Sequence, residues 1–255
     1  MPLPGEPTVS VVMPSLNAAP WIERAVASAL MQVGVGLEVV VEDGGSTDGT
    51  LAVLSRIEDP RLRIESRPDD GQSQALNRAI ERARGEWIVW LNADDELIAG
   101  SLVAALAAAP PGCDVVVGDF ETIDESGRTR RAHGGAALDR RRLLGRGCYA
   151  FSGATLIHRR VFAAHGGIDR RLDLAMDYEF FLRIAPRVAS AHLPLPIGRY
   201  RTHPSSKSST QRWQMFREAG RIRRAYATTV PAPSLWTIGQ ARLGLYYATR
   251  IMRRD

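Results

Sequence analysis

Strands that read as unbroken apolar runs, with a helical pattern after each, constrain this chain more than any other feature. "TVSVVMP" is followed by "PWIERAVASALMQ", then "LEVVVED" by "DGTLAVLSRI". Next come "LRIES" and "SQALNRAIERA", "WIVWLN" and "SLVAALAAA", and finally "DVVVGDF". A strand apolar on both faces must be covered on both faces, so the first 120 residues predict a mostly parallel sheet with helices on either side. Such sheets bind ligands in the crevice beyond the carboxyl ends of their strands. Polar residues gather at those ends: Ser15 and Asn17, Glu42 and Asp43, then Asn92, Asp94 and Asp95.

After residue 120 the pattern changes. "FETIDESGRTRR" reads as a hairpin turning at Ser126-Gly127, and "AFSGATLIHRRVF" as a strand running into a helix. "MDYEFFLRIA" reads as an amphipathic helix with Phe180, Phe181 and Ile184 inward, and "LPIGRYRTH" as a late strand. Residues 208–228 and 235–254 look helical, split by the breaker "VPAPS".

Charge is unevenly placed. Residues 1–210 carry 24 basic and 26 acidic side chains, whereas 211–255 carry 9 and 2. A basic tail on a near-neutral body is not the footprint of a nucleic-acid binder, and no nucleic-acid motif accompanies it. The tail sets Trp213, Met215, Phe216, Trp236, Ile238, Leu243, Tyr246, Tyr247, Ile251 and Met252 among its arginines. That composition suits peripheral contact with an anionic membrane surface, packing on the main domain, or a homodimer interface. The start "MPLPGEPTVS" lacks a signal-peptide pattern and no run of about 18 apolar residues occurs, so a cytoplasmic location is expected. Cys113 and Cys148 show no metal or disulfide spacing.

"WIVWLNADDEL" ends a buried strand in adjacent carboxylates. Like charges this close raise each other's pKa unless something positive compensates them, and a divalent cation would do so. Asn-Ala-Asp-Asp is equally good turn chemistry. "EDGGSTDGT" has neither a dinucleotide fingerprint nor a Walker lysine, and Asp48 could simply cap the following helix.

"VVMPSLN", "VEDGGSTDGT", "DDGQSQALNRAIERARGEWIVWLNADD", "MDYEFFLRI" and "YRTHPSSKS" occur in the order and spacing of family 2 glycosyltransferases, and the chain resembles them over roughly residues 8–208. The resemblance implies the α/β GT-A fold, with a domain over 1–210 and a basic helical extension over 211–255. The domain divides into a nucleotide-sugar half at 1–120 and an acceptor half at 121–210. It further implies inverting sugar transfer from a nucleotide-diphosphate donor, with UDP- or dTDP-sugars favoured, to a glycan, glycolipid or lipid-linked acceptor of the cell envelope. Pro14, Ser15 and Asn17 would lie along the nucleotide, with the Asp43 carboxylate accepting from a pyrimidine N3–H. Asp70, Gly71 and Asn77 would close over the ribose and base. Asp94 would hold the ribose or sugar, Asp95 a Mn2+ or Mg2+ ion on the diphosphate, and His203 would approach that ion. Arg201 would pair with phosphate, and Lys207 could close over it. Asp177 would be the base that deprotonates the acceptor hydroxyl.

Two rivals stand beside this reading. A sugar-1-phosphate nucleotidyltransferase shares the architecture but wants a basic glycine-rich loop after the first strand, and "PSLNAAPWIE" has no basic residue. A nucleotide-sugar-binding protein without catalysis would not need Asp177.

Overall fold

The computed structural model describes residues 7–227. The expected tail residues Trp236, Ile238, Leu243, Tyr246, Tyr247, Ile251 and Met252 lie outside the described residues. The elements run β1 (Val9–Ser15), α1 (Ile22–Leu30), β2 (Leu37–Asp43), α2 (Thr50–Leu54), β3 (Leu62–Ser66), α3 (Gln72–Arg82) and β4 (Trp87–Trp90). They continue with β5 (Glu96–Leu97), α4 (Ser101–Ala108), β6 (Val115–Ile123), β7 (Thr129–His133), α5 (Arg140–Arg146) and β8 (Thr155–His158). The last are α6 (Arg159–His165), α7 (Met176–Ile184), β9 (Ser190–Arg201), α8 (Lys207–Thr210) and α9 (Arg212–Ala227).

One sheet orders these strands β3-β2-β1-β4-β8-β6-β9-β5, with β7 on β6. The expected parallel half is there: β3, β2, β1 and β4 are parallel neighbours. β8 then lies antiparallel between β4 and β6, so the second half is mixed. The expected hairpin joins β6 to β7, with Gly127 at φ 89° accepting the left-handed turn position.

Alternation along each strand explains the apolar runs. Val9, Val11 and Met13 of β1 face a core shared with Ile22, Ala25 and Ala29 of α1 and Leu102 of α4. Val12 faces the opposite core, with Leu76 of α3 and Phe180 and Phe181 of α7. Phe180, Phe181 and Ile184 are buried, as the helical spacing predicts. Each such aromatic contributes roughly 1.5–3 kcal/mol by leaving water. At Gly198 on β9, a Cβ would stand 2.3 Å from the Gly153 carbonyl oxygen, so glycine alone lets β9 pass the turn before β8.

α9 does not stand apart from the main body. Its Ala219 and Ile222 belong to the core that contains α7, and Arg223 is fully buried. The boundary expected at residue 210 therefore falls within one packed unit at least as far as residue 227. Trp213, stacked on Phe216, is exposed on the same helix. No helix among the described residues is long and apolar enough to cross a membrane.

Candidate active site

The chain leaves β4 through Asn92-Ala93-Asp94-Asp95, a turn closed by Asp95 N–H donating to the Asn92 carbonyl at 3.1 Å. The two carboxylates part company there. Asp95 is fully buried, its Oδ1 accepting the Arg201 backbone N–H at 2.8 Å and its Oδ2 the Asn92 amide at 2.9 Å. Burial, followed by the neighbouring Asp94 charge, raises its carboxyl pKa well above the ordinary range. Asp94 Oδ2 instead stands 3.0 Å from Nε2 of His203, with 28% of its side chain exposed. Asp95 thus anchors the turn, and Asp94, expected to hold the ribose or sugar, is the more open of the two carboxylates.

Arg201 also departs from expectation. Its guanidinium is buried rather than turned to a phosphate. Nε donates to the Asp94 carbonyl at 2.9 Å, one Nη to the Asp124 and Glu125 carbonyls at 2.9 and 3.1 Å, and the other Nη pairs with Glu96. Trp21 covers the group at 5.2 Å. A planar fork with its donors committed in this way is a clasp for the carboxylate turn and not an open anion site.

His203 is held in place by its neighbours. Nδ1 meets Ser205 Oγ at 2.9 Å and the Trp21 ring lies 4.8 Å away. As a hydrogen bond, the contact has Nε2–H donating to the Asp94 carboxylate; with the ring proton moved to Nδ1, the Nε2 lone pair would be available to a cation shared with Asp94. One carboxylate and one imidazole make an incomplete cage, and no cluster of three such ligands occurs among the described residues. That set fits Mg2+ or Mn2+, which take few protein ligands and complete their shell with substrate phosphates and water.

At the other end of the crevice, Pro14 and Ser15 pair in register with Glu42 and Asp43. Ser15 Oγ is buried without a hydrogen-bond partner. Asn17 takes a left-handed φ of 50°, donates its N–H to Ser46 Oγ at 2.7 Å, and accepts from Thr47 N–H at 2.9 Å. The loops after β1 and β2 are thereby tied into one rim. The Asp43 carboxylate holds that rim: it accepts from Gly45 N–H at 3.0 Å, Ser46 N–H at 2.9 Å, Ser66 Oγ at 2.7 Å, and the Ser46 hydroxyl. Three of these donors sit on Oδ2 and only the Ser46 hydroxyl on Oδ1.

Asp70 is exposed, 3.6 Å from Arg170, and Gly71 precedes α3 at φ 125°. The Asn77 amide is engaged within the protein. It donates to the Ile168 carbonyl and accepts the Ile168 N–H, each at 2.8 Å, so it staples α3 to the segment after α6. Lys207 is likewise engaged, on Asp173 at 2.7 Å.

Asp177 occupies the first turn of α7. Its Oδ1 accepts the Tyr178 N–H at 2.7 Å, and Cys148 Sγ lies 3.8 Å from Oδ2. Burial pushes its carboxyl up to about 6, against the pull of these two donors, and Glu218 adds to the rise. A carboxylate tuned toward neutrality is suited to accept a proton near physiological pH.

The family model for Glycosyl transferase family 2 matches residues 10–166. A PGL/p-HBAD biosynthesis glycosyltransferase of Mycobacterium bovis is 30% identical over 202 residues, covering 76% of this chain and 77% of that protein. The chain belongs to glycosyltransferase family 2.

Among its relatives are polysaccharide synthases of which the chain spans only a small part. A chondroitin synthase of Pasteurella multocida is 44% identical over 93 residues, 36% of this chain but only 10% of that synthase. S. aureus TarS 1-349, solved in complex with UDP-GlcNAc, superposes with a TM-score of 0.73 at 17% identity, covering 94% of this chain and 73% of that one. The mannosyltransferase PcManGT from Pyrobaculum calidifontis, solved with GDP-Man and Mn2+, gives 0.63 at 21% identity, covering all of this chain and 78% of the other. At those identities the likeness establishes the fold.

Four residues of this candidate site carry no mark in the sequence pattern. Trp21 covers Arg201 and His203; Glu96 pairs with Arg201; Cys148 and Glu218 flank Asp177. Each meets its partner across a long separation in the chain, which a local motif does not encode. Asn92, already noted at the strand end, is the hub: its Oδ1 also accepts from Gln72 Nε2 at 2.9 Å and Trp90 Nε1 at 3.0 Å.

Proposed function

We propose that this glycosyltransferase moves a sugar with inversion from a nucleotide-diphosphate donor, a UDP- or dTDP-sugar in the favoured case, to a glycan, glycolipid or lipid-linked acceptor in envelope polysaccharide synthesis. The observation that carries the reading is the pairing of Asp94 with His203 at the carboxyl ends of the parallel strands, where such sheets bind nucleotides. Asp94 and His203 would hold Mn2+ or Mg2+, and an ion there supplies Lewis-acid stabilisation of the diphosphate leaving group.

The chain's own residues do the remaining work. Pro14, Ser15, Asn17 and the rim held by Asp43 line the nucleotide, with the unpartnered Ser15 hydroxyl free to hydrogen-bond it. Asp70 and Gly71 border the same crevice from the start of α3. Asp177 accepts the hydroxyl proton as the acceptor oxygen bonds to the anomeric carbon and the bond to the diphosphate breaks. Support for a nucleotide-sugar donor and a divalent ion comes from the ligands named for TarS and PcManGT. Support for a glycan product comes from the synthases and biosynthetic enzymes among the relatives. The part of 211–255 not packed on the core is assigned contact with an anionic membrane surface or a second copy of the chain, and among the described residues the exposed Trp213 on α9 is an anchor for it. Sedimentation with anionic vesicles at low salt, set against the oligomeric state, separates the two.

The test is a thermal-shift panel of UDP-, dTDP- and GDP-sugars with and without Mn2+. A ligand bound only by the native state raises the melting temperature according to its affinity. One donor should stand out, and only with metal. Asp177→Asn should keep that shift while losing turnover by orders of magnitude, because the base acts in the transition state. A panel with no response, or a variant that turns over normally, overturns the reading.

A further inference from the structure

The segment leading into α7 is gripped by a carboxylate from a distant helix. Glu218, in the second turn of α9, receives three successive backbone N–H groups. Oε1 accepts Ala175 N–H at 2.7 Å and Leu174 N–H at 2.9 Å, and Oε2 accepts the more distant Asp173 N–H at 3.4 Å. α7 has no side-chain cap of its own at Ala175, so this carboxylate supplies what the local sequence lacks. The acceptor is negative and the donors lie at a helix N-terminus, the favourable sign for both charge-assisted hydrogen bonding and the helix dipole.

The grip continues along α9. Arg223 Nε donates to the Tyr178 hydroxyl at 3.2 Å, and the Tyr226 hydroxyl donates to Glu179 at 2.5 Å. Residues before and after Asp177 are therefore fixed by one helix. From the other side, Ser73 of α3 donates to the Leu172 carbonyl at 2.6 Å and Lys207 pairs with Asp173 at 2.7 Å. The 172–175 segment thus joins the donor-side helix α3 to the residue that meets the acceptor.

We propose that Glu218 is a positioning residue for Asp177: by holding the amides of 173–175 it fixes the start of α7 and hence the direction of the Asp177 carboxylate. This rests on the reading of Asp177 as the base. One charge and one thiol bear on that carboxylate. Glu218 disfavours its ionised form, the Cys148 thiol from the segment after α5 favours it, and Arg223 of α9 is spent on Tyr178. α6 meets α7 through apolar contact, Phe162 stacking on Phe180.

Three readouts test the proposal: amide hydrogen exchange at Leu174 and Ala175, the 13C carboxyl titration of Asp177, and kcat with the donor selected by the panel. Glu218→Ala should strip protection from both amides and lower kcat about 10- to 100-fold, as misplacement of a reacting group does, with donor KM little changed. Glu218→Gln keeps an amide oxygen where Oε1 stood, so it should restore protection and most of the turnover. With the negative charge gone, the Asp177 midpoint should move below about 6, and the acid limb of the rate profile should follow it downward.

In the Asp177→Asn background, Glu218→Ala should slow the enzyme no further. Wild-type kcat in Glu218→Ala, an additive loss in the double variant, or an unmoved Asp177 midpoint in Glu218→Gln would each overturn the proposal. Full turnover by Asp177→Asn alone would instead bring down the base assignment. Should Glu218→Ala fail to fold, the midpoint and turnover of Glu218→Gln still decide.

Discussion

His203 Nε2 and Asp94 Oδ2 meet at 3.0 Å across 109 residues of chain, while the adjacent Asp95 turns its carboxylate inward to the backbone N–H of Arg201. One turn therefore resolves the clash of two neighbouring negative charges by sending them to different environments. Asp95 has hydrogen-bond donors on both oxygens and no solvent, whereas Asp94 has an imidazole and an open side.

Substitution should separate these two roles. Asp94→Ala and His203→Ala are expected to remove the metal-dependent part of the donor thermal shift while changing the melting temperature of the free protein little. Asp95→Ala leaves the Arg201 N–H and the Asn92 amide without acceptors in a dry site, costing roughly 1–3 kcal/mol for each unpaired group. Circular dichroism melts with and without donor and Mn2+ check both. A stable Asp95→Ala protein that loses only metal response would return the metal role to Asp95.

Asp177 predicts a conflict between activity and stability. Its carboxyl is raised from 3.8 to about 6, so the native state binds this proton more tightly than the unfolded chain. The contribution is complete below about pH 4 and is lost as pH rises through about 6. Asparagine cannot ionise and escapes that loss. Asp177→Asn should therefore melt higher than wild type at pH 8, by on the order of 1–2 kcal/mol given the partial exposure of the group, and equally at pH 4. Matching melts at pH 8 would show that Asp177 ionises there without cost.

How much of this could be read from the chain follows from what a sequence encodes locally. The parallel half of the sheet was legible because strands covered on both faces must be largely apolar, as Val11–Met13 and Val39–Val41 are. The insertion of β8 between β4 and β6 was not, because pairing partners are chosen by long-range closure of the sheet. In the site, the strand-end position marked Asp94, and the family resemblance marked Asp177 and His203, as candidates. It could not say that Arg201 and Asn77 spend their donors inside the protein, since a guanidinium or an amide looks the same in sequence whether it faces a phosphate or a carbonyl. Glu218 was hidden for the opposite reason: it lies in a segment whose basic composition draws attention to the surface.

Asn77 and Arg201 should accordingly behave as structural residues. Asn77→Ala removes both bonds to Ile168 and strands that residue's N–H and carbonyl, an expected loss of about 1–3 kcal/mol. Arg201→Met takes from Glu96 its nearer partner, leaving Arg199 at 4.0 Å, and strips donors from the Asp94, Asp124 and Glu125 carbonyls, an expected loss of about 1–3 kcal/mol. Chemical denaturation measures both. For Asn77→Ala, donor affinity below the melt should match wild type. A tenfold loss of donor affinity with unchanged stability would move Asn77 back into the nucleotide site.

Cys148 offers a chemical route to the acceptor side. The chain has two cysteines, both free; Cys113 is buried and Cys148 is exposed. Only Cys148 should react with a maleimide in the native protein. The atoms crowding its protected side, and then the Asp177 charge, hold its thiol well above the usual range, so little thiolate exists near neutrality. Labelling should therefore be slow at pH 7 and accelerate steeply with pH. In Asp177→Asn one of the two causes is removed, so labelling should be faster at the same pH. Because Sγ lies 3.8 Å from Asp177 Oδ2, the adduct would occupy the space an acceptor hydroxyl must cross to reach the base. Labelled enzyme is expected to lose turnover yet keep its donor thermal shift, and Cys148→Ser should stay active after the same treatment. Mass spectrometry of the labelled peptide, read against kcat, checks each step. Stoichiometric labelling with undiminished turnover would place the acceptor's path away from Asp177 and with it the base.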